Sequence, residues 1–139
     1  MITNESIIVS GIFWEEFEPL FLEIIQIWDA LEETVPLFKY GSGLEGIVFA
    51  PMGVEPNDDF HQEFIGYDPD EKKFHIKKML PYHTLKTADI DQFLRMAATA
   101  FYEEIDQIQL PDFDTARFKK DVEALFLERG WLEREIADA

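Results

Sequence analysis

The sequence predicts an α+β fold, a small antiparallel sheet of about four strands packed against three helices in the order β-α-β-β-β-α-α. Three observations lead there. Apolar residues recur at three- and four-residue steps in three long segments, the period of a helix face lying on a core. Short β-branched or aromatic runs bounded by Gly, Pro, Asn and Asp account for most of the rest. With 139 residues, 47% of them hydrophobic, the chain can bury roughly two-thirds of its unfolded surface, so residues 1–139 read as one domain.

Ser6 to Phe13 carries Ile7, Ile8, Val9 and Ile12 with Gly11 near its end, and reads as a short covered strand. From Glu15 to Glu33 the residues Phe17, Leu20, Phe21, Ile24, Ile27, Trp28 and Leu31 mark the buried face of a first helix. Pro19 is tolerated near its start, and Glu15, Glu16 and Glu18 suit the positive end of its dipole. Glu23, Glu32 and Glu33 continue a solvent-facing acidic strip.

Pro36 ends that helix, and Tyr40-Gly41-Ser42-Gly43-Leu44-Glu45-Gly46 has the composition of a tight turn before the strand Ile47 to Met52. Gly53 to Asp59 reads as an exposed acidic loop. Phe60 to Tyr67 and Lys73 to Leu80, separated by Asp68-Pro69-Asp70-Glu71-Lys72, form a β-hairpin. Together with Ile47 to Met52 they make an antiparallel meander, with the first strand at an edge.

Thr87 is the expected cap of a second helix, with Asp89 in its first turn and an apolar stripe from Ile90 through Phe93, Phe101 and Ile105 to Ile108. Leu110-Pro111 breaks it. Asp114 caps a third helix that buries Phe118, Val122, Leu125 and Phe126 and stops at Gly130, with Trp131 folding back onto Phe126. Residues 132–139 are an acidic tail expected to fray.

Charge is the strongest functional signal. The first sixty residues hold twelve Asp or Glu and one base, Lys39, about −11 of the formal −17; the other 79 hold 17 acids and 11 bases, about −6. An acidic face attracts basic partners and repels nucleic acid and anionic membrane. The lysine pairs at 72–73, 77–78 and 119–120 sit among acids, which disfavours direct nucleic-acid binding. No run approaches the roughly 20 apolar residues of a membrane span. Met1 to Val9 lacks the basic start and apolar stretch of a signal peptide, and the chain has no Cys, so the cytoplasm is the expected compartment.

No catalytic, cofactor or metal site is expected. His61, His75 and His83 lack metal-ligand spacing. The acidic clusters Glu55-Asp58-Asp59 and Asp68-Asp70-Glu71 lack the alternating ligands and closing Glu of a calcium loop, and read as hydrated turns. With 29 acids, carboxylates must approach one another somewhere, so no pair marks glycosidase chemistry. Ser6, Ser10 and Ser42 lack a strand-to-helix elbow, and Gly41-Ser42-Gly43 has no following Lys or helix start to cradle phosphate. Phe17, Phe21 and Trp28 read as core.

Ile8-Val9-Ser10-Gly11 leading to an acidic helix, then Tyr40-Gly41-Ser42-Gly43-Leu44-Glu45 before a strand, resemble the immunity proteins of bacterial polymorphic toxin systems, of the immunity protein 44 type. The hairpin into Phe74-His75-Ile76-Lys77, the long second helix and Phe113-Asp114-(x)3-Phe118-(x)2-Asp121-Val122-Glu123 ending at Gly130-Trp131 keep that family's order, from about Ile7 to Trp131. The resemblance implies a cytoplasmic, non-catalytic protein that binds and neutralises a cognate toxin domain; an exposed edge strand would permit a homodimer as well as a monomer. Its matched residues look structural.

Electrostatics supplies the expected contact. Toxins acting on nucleic acid have basic clefts, so Glu15, Glu16 and Glu23 of the first helix with Glu55, Asp58 and Asp59 of the loop are the expected partner-binding face. Two other readings stay open: a general acidic interaction module or nucleic-acid mimic without a toxin partner, and a small hydrolase. A neighbouring toxin gene would separate the first from immunity, and carboxylates converging with a histidine in an apolar pocket would favour the second.

Overall fold

The computed structural model of the chain describes residues 7–9, 12–13, 15–54 and 62–132. Ser10, Gly11, Glu55, Asp58, Asp59, His61 and most of the expected tail lie outside the described residues. The element order is β1 (Ile7–Val9), β2 (Ile12–Phe13), α1 (Glu18–Phe21), α2 (Ile25–Thr34), β3 (Gly46–Gly53), β4 (Phe64–Asp68), β5 (Lys73–Met79), α3 (Tyr82–Leu85), α4 (Ile90–Glu103) and α5 (Thr115–Arg129).

The α+β class is as the sequence predicts, but the sheet is mixed and not antiparallel. Its order is β1-β3-β5-β4, with β2 also paired to β3. Pairings β1–β3, β2–β3 and β3–β5 are parallel, and only the β4–β5 hairpin is antiparallel. Three strands of eight, five and seven residues form its body in place of the expected four, and the first strand is reduced to two short pieces on the β3 edge.

The meander fails because β5 lies between β3 and β4. Strand β3 is buried along nearly its whole length, whereas β4 is half-exposed or exposed throughout. A strand covered on both faces belongs inside a sheet and a half-exposed one at its edge. The ten-residue connection 54–63 is long enough to reach past one strand, about 10 Å at the usual strand spacing.

The first helix is not one helix. A 3₁₀ turn at Glu15–Phe17, α1, a second 3₁₀ turn at Leu22–Ile24 and α2 follow one another, and Pro19 lies in the first turn of α1. Phe17, Phe21, Ile24, Ile27 and Leu31 are buried as expected, whereas Trp28 is only half-buried. Glu32 leaves the expected solvent strip: its Oε1 accepts a 2.6 Å hydrogen bond from the Ile7 amide, tying α2 to β1.

Strand β5 buries Phe74 and Ile76 and leaves His75 half-exposed between them, as alternation requires. The second helix begins later than expected. Asp89, and not Thr87, is its cap, with Oδ1 accepting from the Gln92 amide at 2.8 Å. It ends at Glu103, and Ile105 and Ile108 are buried from a 3₁₀ turn and the segment after it. A short helix, α3, which the sequence pattern does not predict, precedes it.

Helix α5 is as the sequence predicts. Asp114 Oδ1 accepts from the Arg117 amide at 3.1 Å, and Phe118, Val122, Leu125 and Phe126 are all buried. Gly130 is left-handed at φ 76°. The Gly130 amide donates to the Leu127 carbonyl, and that of Trp131 to the Phe126 carbonyl at 2.8 Å, the paired bonds of a Schellman stop. The Trp131 ring meets Phe126 edge-on at 5.8 Å.

Candidate interaction surface

The helical segment 15–34 contains no Lys or Arg. Burying Phe17, Phe21, Ile24, Ile27 and Leu31 fixes its rotation, so Glu15, Glu16, Glu18, Leu22, Ile25, Asp29 and Glu33 are turned outward and exposed. None of those five carboxylates forms a hydrogen bond or ion pair among the described residues. Of the residues singled out from sequence, Glu15 and Glu16 are therefore on this face. Glu23 is half-buried at its margin, where its Oε1 accepts from Gln26 Nε2 at 2.8 Å.

Elsewhere some of the negative charge is compensated by lysines. Lys78 Nζ bonds Glu104 at 2.6 Å and Glu103 at 3.1 Å, and Lys119 Nζ bonds Asp106 at 2.5 Å. Lys72 lies 3.8 Å from Glu45. These hydrogen bonds raise the Lys78 ammonium above its ordinary pKa despite the opposing effect of burial, and the bond to Asp106 does the same for Lys119. The segment 15–34 thus carries five carboxylates without a partner among the described residues and no cation, whereas part of the negative charge outside it is cancelled by lysines.

A groove of about 570 Å³ lies between the end of β5 and α4, lined in part by Met79, Pro81, Arg95, Met96 and Thr99. The carboxylate in its lining, Glu103, is engaged by Lys78. The lining brings together no histidine with carboxylates.

The hairpin makes a grouping that the sequence reading missed. Donor atoms of Asp68, Glu71 and His75 lie within 4.8 Å of one another, because β4–β5 pairing puts the last β4 residue and the third β5 residue on one face beside the turn. Lys73 Nζ is 3.9 Å from Glu71, and Asp68 Oδ1 accepts from the Asp70 amide at 3.0 Å. A lysine already supplies positive charge there. His83 belongs to no such group among the described residues and stands exposed beside Tyr82.

The glycine-rich turn has a structural duty. The Gly43 amide donates to the Asp112 carbonyl at 2.9 Å, and the Asp114 amide to the Tyr40 carbonyl at 2.8 Å. Gly41 has φ 138°, and a Cβ there would sit 2.0 Å from the Asp112 oxygen, so only glycine lets the two backbones come this close. Phe113 and Phe118 pack on the Tyr40 ring at 6.2 and 5.2 Å. Two of the motifs that carry the family resemblance are therefore the two halves of one joint, remote in sequence and joined in space.

No helix among the described residues is long and apolar enough to cross a membrane. Comparison with curated proteins and with solved structures gives no significant match. The family model described as immunity protein 44 matches residues 5–128, a span that takes in the sheet, the acidic helical face and the joint at Tyr40. The chain belongs to the immunity protein 44 family.

Proposed function

We propose that this chain binds and neutralises a cognate toxin domain by laying the acidic face of residues 15–33 into a positively charged cleft, with no catalysis of its own. Family membership implies the toxin partner. The observation that supports the mode of binding is the row of unpaired carboxylates, Glu15, Glu16, Glu18, Asp29 and Glu33, on a segment without a single cation. Such a row raises the encounter rate with a basic surface and excludes the anionic substrate that the cleft would otherwise hold. Glu55, Asp58 and Asp59, outside the described residues, continue the same charge in sequence and are proposed as further toxin contacts, and the basic cleft makes a nuclease-type toxin the fitting partner.

The test is co-expression with the toxin encoded by the adjacent upstream gene. The parent chain should restore growth, and a Glu15→Lys/Glu16→Lys/Glu23→Lys variant, or a Glu55→Lys/Asp58→Lys/Asp59→Lys variant, should protect less and associate more slowly. Protection and association rate unchanged in both variants would remove this face from the contact. Binding without rescue, or the lack of a toxin gene nearby, would favour a general acidic interaction module.

A further inference from the structure

We infer that Leu22 and Ile25 are the apolar anchors of the toxin contact, so the partner is a basic protein surface that carries an apolar socket inside its positive rim; the inference rests on the toxin-binding reading above. Leu22 and Ile25 are 65% and 56% exposed, although the same helical segment buries five other large apolar side chains completely enough to hold it on the core. They lie one 3₁₀-to-α step apart, and Glu18 precedes Leu22 by four residues as Asp29 follows Ile25 by four. Two neighbouring apolar groups therefore occupy the middle of the outward stripe, with carboxylates at either end.

That arrangement has the anatomy of a recognition patch. Apolar side chains at the centre lose water and hold the complex together, while charges at the rim steer the approach. Scattered exposed apolar residues need no explanation, but a pair centred in an unpaired acidic row is not scattered. Charge selects the occupant. A second copy meeting through this stripe would set carboxylates against carboxylates, and an anionic membrane would be repelled in the same way. A cationic protein surface satisfies both the carboxylates and the apolar pair.

The experiment measures association and dissociation of the parent chain, Leu22→Ala/Ile25→Ala and Asp29→Lys/Glu33→Lys with the upstream-encoded toxin domain in an inactive form. Loss of two anchors should speed dissociation about tenfold or more and change the association rate by less than about threefold. Charge reversal should do the opposite, slowing association most. Because both apolar side chains are exposed, the urea midpoint of the Ala variant should stay at the parent value, which separates lost contact from lost fold. A parent complex whose dissociation is unchanged in the Ala variant would overturn the anchors and leave toxin binding standing. Failure of the parent chain to bind any toxin domain would overturn both. A parent chain that is dimeric in sedimentation and turned monomeric by Leu22→Ala/Ile25→Ala would overturn the anchors in favour of self-association.

Discussion

Tyr40 Oη donates a 2.7 Å hydrogen bond to Asp121 Oδ2, joining the glycine-rich segment to the middle of α5 across 81 positions of sequence. Tyr40 is buried, the Arg117 guanidinium lies 5.4 Å from its ring centre, and Arg117 Nη1 reaches the Lys39 carbonyl at 3.4 Å. Burial, and then the bond to Asp121, push the phenol well above its ordinary pKa. The joint holds α5 to the turn that leads from α2 into β3.

Tyr40→Phe keeps the ring packing and removes the donor, leaving the half-buried Asp121 carboxylate without it. The expected loss is about 1–2 kcal/mol, read as a lower urea midpoint with unchanged slope. Asp121→Asn should lose less than Asp121→Ala, since an amide oxygen still accepts. Equal stability of Tyr40→Phe and the parent would deny the bond any part in holding the joint.

Alkaline pH should unfold the protein progressively. Tyr40 and Tyr102 are raised by burial and then by bonds to Asp121 and Glu123, and Lys78 and Lys119 are raised by their carboxylate partners. All four groups hold their protons more tightly folded than unfolded. Their stabilisation is fully present below pH about 10, where the unfolded chain is also protonated, and is lost as pH climbs through the folded values. Urea midpoints from pH 8 to 11 should fall above about 10, and less steeply in Tyr40→Phe. A midpoint that rises over this range contradicts the assignment.

Two glycines should respond to alanine with different severity. Gly130 is left-handed, with nothing within 4 Å of an added Cβ, so Gly130→Ala meets only the conformational cost of about 1 kcal/mol. Gly41→Ala adds a clash with the Asp112 carbonyl and should cost about 3 kcal/mol or more. Calorimetric melting of both variants checks the order; a reversed order would mean that the Gly41–Asp112 approach is not what holds the turn.

Unbonded and bonded charges should separate in stability measurements. Asp29 and Glu33 make no bond among the described residues, so Asp29→Lys/Glu33→Lys should stay within about 0.5 kcal/mol of the parent, helped by a cation near the end of α2. Lys78→Ala deprives Glu103 and the largely buried Glu104 of their partner and should cost about 1 kcal/mol. Denaturation of the two variants side by side distinguishes them.

What could be read from sequence was local. Asp114, the four buried positions of α5, Gly130 and Trp131 were legible because cap, periodicity and stop act within a few residues. The β4–β5 hairpin followed from its turn residues in the same way. The place of β3 beside β5 was not legible, because alternation tells which face a side chain takes and nothing about which strand lies next to it. Periods of 3.0 and 3.6 residues are indistinguishable over one turn, which hid the 3₁₀ breaks at Glu15–Phe17 and Leu22–Ile24. The glycines at 41 and 43 signalled a turn, but their need to approach Asp112 depends on a segment seventy residues away. At the acidic face, Glu15 and Glu16 were legible from charge, whereas Leu22 and Ile25 were visible only as apolar residues out of phase with the buried stripe. Glu32 was misread because its partner, the Ile7 amide, belongs to a strand 25 residues earlier.

The most direct measurement is stopped-flow association of the chain with the upstream-encoded toxin domain as salt is raised. The unpaired carboxylates of residues 15–33 predict a tight complex whose association rate falls at least tenfold between about 0.05 and 0.5 M salt, as the screening length shrinks below about 5 Å. A complex whose association rate is indifferent to salt, or no complex at all, would contradict binding through this face.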